Sequence, residues 1–205
     1  MFRIKICGIT NQADALHAVS CGADALGFVF FAESPRCVDA ATVRSIVSRL
    51  PEEVTMVGLF VNEQPETIRR IAQESGIDLV QMHGDETPGD CNRVGLPVMK
   101  ALRVRNAESL AGWKSFPVDA ILLDAWHPDK LGGTGETCDW QLAKEMAVKT
   151  SIILAGGLNP TNVAEAVTMV RPQGVDVSSG VEKSPGIKDP EKVAAFISSA
   201  RESLS

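Results

Sequence analysis

The feature that most limits what this chain can fold into is an alternation. Short apolar, β-branched runs are followed by longer amphipathic segments, eight times over in 205 residues. Runs of the first kind read as strands and segments of the second as helices. Strands are expected at 3–7, 25–30, 55–61, 78–83, 97–102, 119–124, 151–155 and 174–178, and helices at 12–20, 40–50, 65–75, 87–94, 107–113, 140–148, 160–170 and 190–199. Pro65, Pro160 and Pro190 stand where a first helical turn accepts proline, and Asn159 and Asp189 precede two of them as N-caps. Gly22 and Gly76 follow helices where a left-handed residue is wanted. Eight βα units at this length sit at the lower size limit of a closed barrel, whereas a doubly wound open sheet stops at about five or six strands. The expected fold class is α/β, a single-domain (β/α)8 TIM barrel over residues 1–205.

Composition narrows the partners. The formal net charge of -6 argues against nucleic acid or an anionic membrane surface, both of which attract a basic face. No apolar run approaches the ~20 residues that span a bilayer, and the N-terminal residues do not read as a signal peptide. Cys7, Cys21, Cys37, Cys91 and Cys138 are scattered and odd in number, which suggests reduced thiols in the cytoplasm. His17, His83 and His127 are equally dispersed, so no metal site is expected. A small anionic substrate remains compatible, since local backbone N–H groups bind phosphate on an acidic protein.

Barrel enzymes carry their chemistry on the C-terminal ends of the strands and the loops that follow. Cys7 ends the first strand, on the same face as Lys5. It reads either as a small buried thiol or, with its pKa lowered toward neutrality, as a general base. Asp124 ends the sixth strand and either fixes the turn or acts as a general acid; the segment after it holds Gly132-Gly133-Thr134-Gly135. Gln81 and His83, two apart at the end of the fourth strand, either line the pocket or form an interior pair. Arg36 follows the stiffening Pro35 and suits a carboxylate, with a solvated surface arginine as the alternative.

The seventh and eighth units give the strongest local signal. Gly156-Gly157 and Ser178-Ser179-Gly180 stand in the two loops that bind phosphate most often on this fold, glycine admitting the anion to backbone N–H groups and serine adding hydroxyls.

Lys5-Ile6-Cys7-Gly8-Ile9-Thr10 resembles the N-terminal signature of the phosphoribosylanthranilate isomerase family. The likeness continues through Gly22-Ala23-Asp24, Ser34-Pro35-Arg36, Gln81-Met82-His83-Gly84, Leu122-Leu123-Asp124, Gly132-Gly133-Thr134-Gly135, Ala155-Gly156-Gly157-Leu158 and Asp176-Val177-Ser178-Ser179-Gly180-Val181-Glu182. It implies a (β/α)8 barrel of tryptophan biosynthesis that catalyses an Amadori rearrangement, with Cys7 as base and Asp124 as acid. It further assigns Arg36 to the anthranilate carboxylate, and the phosphate to Gly156, Gly157 and Ser178 or Ser179, with Asp176 in support. It calls for no metal or organic cofactor, and a monomer or homodimer is expected. Cys138 and Met82 depart from the family pattern, where a bulkier apolar residue and a leucine are usual.

Rival barrels fit less well. The histidine-pathway aldose isomerase uses two aspartates where this chain has Cys7 and Asp124, the ribulose-phosphate epimerase needs a metal set that is missing, and indole-glycerol-phosphate synthase needs a catalytic lysine and glutamates. A non-catalytic phosphate sensor would need neither Cys7 nor Asp124.

Overall fold

The computed structural model of the chain describes residues 2–125 and 138–204. His127 and the glycine-rich run at 132–135 lie outside them. Eight parallel strands close into a barrel in sequence order, with the eighth pairing back onto the first. They are β1 (Ile4–Cys7), β2 (Ala25–Val29), β3 (Thr55–Phe60), β4 (Leu79–Met82), β5 (Val98–Val104), β6 (Ala120–Ala125), β7 (Ile152–Leu154) and β8 (Gly174–Val177). Most strand residues are buried on both faces, which is why these runs read as nearly continuous apolar stretches. Inside the barrel pack Phe2, Ala25, Val57, Leu79, Met99, Leu122 and Ile153; a larger cluster fills the space between strands and helices.

Helices α1 (Gln12–Ser20), α2 (Ala40–Val47), α3 (Pro65–Ser75), α4 (Pro88–Val94), α5 (Trp140–Ala147), α6 (Val163–Val170) and α7 (Pro190–Ser203) wrap the outside. Their starts follow side-chain chemistry. Asp189 accepts from the N–H groups of Glu191 and Lys192, and Thr87 and Asp90 form a reciprocal capping box. Gly76 ends α3 in the left-handed conformation with φ 80°.

Two expected helices differ. The fifth, at 107–113, is instead a pair of 3₁₀ turns, Ala107–Leu110 and Trp113–Ser115. Gly112 between them is left-handed, and neither turn contains a buried residue, so no packing stabilises a longer helix. The seventh begins at Val163, not at Pro160. Asn159 accepts from the backbone N–H and hydroxyl of Thr161 while its own N–H donates to Asn162, and this side-chain turn replaces the first helical turn. Asn159 is therefore not the N-cap; Asn162 stands there.

At the opposite end of the barrel a clasp recurs. Asp24, Asp78 and Asp119, each just ahead of an even-numbered strand, accept from the backbone N–H of Ile4, Met56 and Val98 at the start of the preceding strand.

Candidate active site

Register and period two together place the central side chains. Lys5 pairs with Asp176 across the β1–β8 seam, so both side chains enter the barrel side by side. Nζ of Lys5, fully buried, donates to Oδ2 of Asp176 at 2.8 Å and to Oε1 of Gln81 at 2.9 Å. Nε2 of Gln81 lies 2.8 Å from Nδ1 of His83, and Nε2 of His83 lies 3.1 Å from Oδ2 of Asp124. Oδ1 of Asp124 accepts from the N–H of Ala125 at 2.9 Å. One hydrogen-bonded chain thus crosses the barrel from β8 to β6. Burial works against the charge on Lys5, but Asp176 and Cys7 outweigh it and hold its pKa above the ordinary lysine value.

Cys7, one alternation beyond Lys5, is buried at the top of β1. Burial pushes its thiol up; Lys5 and Lys188 pull the other way, Asp176 adds to the rise, and the net shift is upward. The free protein therefore holds Cys7 as a thiol at neutral pH, the opposite of the lowered pKa that a resting thiolate needs. Cys138 is pushed up to about 12, by burial first and then by Asp124 and Asp139, against a smaller downward pull from a backbone hydrogen bond at Asp139.

Arg36 is not a solvated surface arginine. Its Nε and Nη2 donate to Oε1 and Oε2 of Glu182 at 2.9 and 2.7 Å. Lys188 donates to the same Glu182 at 2.8 Å. Burial disfavours the Glu182 carboxylate, yet Arg36 and Lys188 win and hold its pKa below the usual range. Glu182 and Lys188 belong to a small antiparallel hairpin, β9 (Glu182–Ser184) and β10 (Ile187–Lys188), that the sequence reading did not include. Its one signal was Pro185-Gly186, a turn pair whose glycine has φ 80°.

The loops after β7 and β8 lie against each other. A side chain on Gly180 would collide with the carbonyl of Leu158, and one on Gly156 (φ 79°) with the backbone of Ala125. Oγ of Ser178 is buried and has no hydrogen-bond partner among the described residues. These loops border a cavity of about 460 Å³. It is lined by Cys7, Arg36, Gln81, His83, Asp124, Gly156, Gly157, Asp176, Ser178 and Ser179, so every site residue expected from sequence reaches one space. Phe31, Leu59 and Pro185 give it apolar wall. Lys5 supports the floor from beneath, a position that period two pointed to without suggesting a role. Among the described residues no cluster of three potential ligands could hold a metal, and no helix is long and apolar enough to cross a membrane.

Residues 4–199 match the family model for N-(5'-phosphoribosyl)anthranilate (PRA) isomerase. The chain belongs to the phosphoribosylanthranilate isomerase family. It is 54% identical over 201 residues to the N-(5'-phosphoribosyl)anthranilate isomerase of Citrifermentans bemidjiense, with 98% of both chains covered. The crystal structure of the phosphoribosyl anthranilate isomerase of Thermotoga maritima superposes with a TM-score of 0.91 at 42% identity, covering 98% of this chain and all (100%) of the other. A further isomerase structure, in complex with reduced 1-(o-carboxyphenylamino)-1-deoxyribulose 5-phosphate, gives a TM-score of 0.87 at 40% identity over 98% of this chain and 100% of that one. As a phosphoribosylanthranilate isomerase, this barrel is an enzyme of tryptophan biosynthesis.

Proposed function

We propose that Cys7 and Asp124 carry out the isomerisation as general base and general acid on a substrate whose phosphate lies between the β7 and β8 loops. The observation that carries this reading is the shared cavity. Cys7 ends β1 and Asp124 is the last residue but one of β6, and β7 and β8 lie between them on the short arc. A sugar phosphate held by the intervening loops has one group on each side.

In the first step Asp124 gives its proton to the furanose ring oxygen, the C1–O bond breaks, and the anthranilate nitrogen supplies the electrons that make an imine cation. In the second step Cys7, as thiolate, takes the proton from C2, and those electrons neutralise the cation to give an enolamine. The C2 hydroxyl then loses its proton as C1 gains one, and this exchange completes the ketone. The imine cation beside Cys7 supplies the opposite charge that the free site only partly provides through Lys5, and so favours the thiolate when it is needed.

Arg36 receives the anthranilate carboxylate. Glu182 occupies two of its five N–H donors, which leaves three, enough for a second bidentate pair. The unpaired hydroxyl of Ser178, with Ser179 and the backbone at Gly156 and Gly157, receives the phosphate. Asp176 serves as the counterion of Lys5. A monomer or a homodimer agrees with a solved Thermotoga maritima relative described as monomers of a dimeric isomerase, and five free cysteines suit the cytoplasm.

Steady-state turnover tests the reading. The labile substrate is generated in situ from anthranilate and phosphoribosyl pyrophosphate by the preceding transferase, and loss of its fluorescence is followed. Wild type exceeds spontaneous hydrolysis; Cys7→Ala and Asp124→Asn each fall by about a hundredfold or more. Unchanged turnover in either variant refutes that residue's role.

A further inference from the structure

We propose that Gln81 is a positioning residue that acts on Asp124 through His83: anchored by Lys5, it selects the histidine tautomer that donates to the acid. The inference rests on the assignment of Asp124 as general acid made above. It follows from the order of donors and acceptors along the chain.

Lys5 has only donors, so the Gln81 atom 2.9 Å from its Nζ is the amide oxygen. The other end of that amide, 2.8 Å from Nδ1 of His83, is then the NH2 group, a donor. Nδ1 must accept, and it holds no proton. The proton of the neutral imidazole therefore sits on Nε2, where it faces Oδ2 of Asp124 at 3.1 Å. The polarity of the whole chain is set at its far end by the Lys5–Asp176 ion pair, 2.8 Å across and buried, with Asp176 at the cavity floor.

This polarity matters at one moment of the cycle. As Asp124 gives up its proton, negative charge develops on the carboxyl group, and a histidine N–H pointing at it strengthens as a donor. The other tautomer would present a lone pair to the same oxygen and oppose the charge. His83 is thereby excluded as the acid itself, because Nδ1 is occupied by a donor and Nε2–H points at Asp124. Gln81 and His83 line the cavity as well, but their bonds to each other and to Lys5 and Asp124 define the role argued here.

The tautomer is read by ¹⁵N NMR of the full chain labelled at its three histidines, with His83 assigned by comparison with His83→Gln. Wild type is expected to show a neutral ring protonated at Nε2. Two variants then separate polarity from space-filling. In Gln81→Glu the carboxylate accepts from Lys5 and also from Nδ1 of His83, so Nδ1 becomes protonated. In Gln81→Met the side chain neither donates nor accepts, and both tautomers populate. The proposal predicts that Gln81→Glu lowers kcat by about ten- to a hundredfold with KM within about threefold, and that Gln81→Met loses less. A merely structural role predicts the reverse order, because Gln81→Glu keeps the bond to Lys5. A wild-type ring protonated at Nδ1, or Gln81→Glu milder than Gln81→Met, overturns the proposal. Asp124→Asn in the same assay keeps the two questions apart: full turnover there removes the acid assignment, whereas lost turnover alongside a wild-type Nδ1–H removes only this one.

Discussion

Nζ of Lys5 stands 2.8 Å from Oδ2 of Asp176 inside the barrel, one strand alternation before Cys7. The pair puts a cation and an anion next to the thiol, and the two act on it in opposite directions. Lys5 favours the thiolate and Asp176 disfavours it, while burial adds the largest upward push. A general base must be deprotonated, so kcat/KM of the wild-type enzyme is expected to climb with pH along a limb above the ordinary thiol range. Asp176→Asn removes the anion and leaves Lys5, so the limb moves down by about one pH unit; Lys5→Met moves it up by a similar amount. Profiles of kcat/KM against pH for the three proteins check this, and a limb that stays put in both variants contradicts it.

Glu182 holds Arg36 in place from a hairpin on the far side of the β8 loop. Glu182→Gln keeps the side-chain shape but loses the charge that fixes the guanidinium, and Lys188 then stands beside Arg36 with its charge no longer offset. If Arg36 holds the substrate carboxylate as proposed, with bonds equal in ground and transition states, KM is expected to rise about tenfold with kcat within about threefold. Arg36→Lys, which cannot form a bidentate pair, raises KM further. Initial-rate kinetics on the two variants decide it; a change confined to kcat would show that Arg36 acts on the chemical step.

Ser178 gives a case where stability and binding part company. Its hydroxyl is buried and has no partner among the described residues, which costs free energy that a phosphate oxygen would recover. Ser178→Ala should leave the urea midpoint unchanged or slightly raised, while affinity for inorganic phosphate falls about tenfold. A clear loss of stability would mean that the hydroxyl has a structural partner.

The aspartate clasp at the other end of the barrel predicts the reverse pattern. Asp78→Ala strips the backbone N–H of Met56 of its acceptor and is expected to cost about 1–3 kcal/mol in denaturant titration. Turnover per folded molecule stays at the wild-type level, because that end carries stability and not chemistry. A matched loss of kcat would couple the two ends.

How much of this was legible depends on the range over which each feature is decided. That the loops after β7 and β8 border the cavity was legible because glycine and serine carry their meaning locally, in Gly156-Gly157 and Ser178-Ser179-Gly180. The inward face of Lys5 followed from period two along β1, but its partner is 171 residues away and is fixed by the register that closes the barrel. No local pattern encodes that register, so the chain from Asp176 to Asp124 could not be read in advance. The β9–β10 hairpin escaped because strands of three and two residues are too short to show alternation. The fifth helix misled because Ala107, Leu110 and Trp113 have helical spacing, whereas Gly112 turns left-handed within it. The pKa of Cys7 was out of reach for the same reason as the ion pair: it depends on burial and on charges from β8 and β10.

On the proposed mechanism Cys7 and Asp124 do chemistry on a substrate that other residues hold. Single-turnover rates for Cys7→Ala and Asp124→Asn, measured beside their affinity for the reduced carboxyphenylamino-deoxyribulose phosphate, test it most directly. Rates are expected to fall by about a hundredfold or more with affinity within about threefold of wild type. Rates that survive in either variant, or that fall only as far as affinity does, would contradict it.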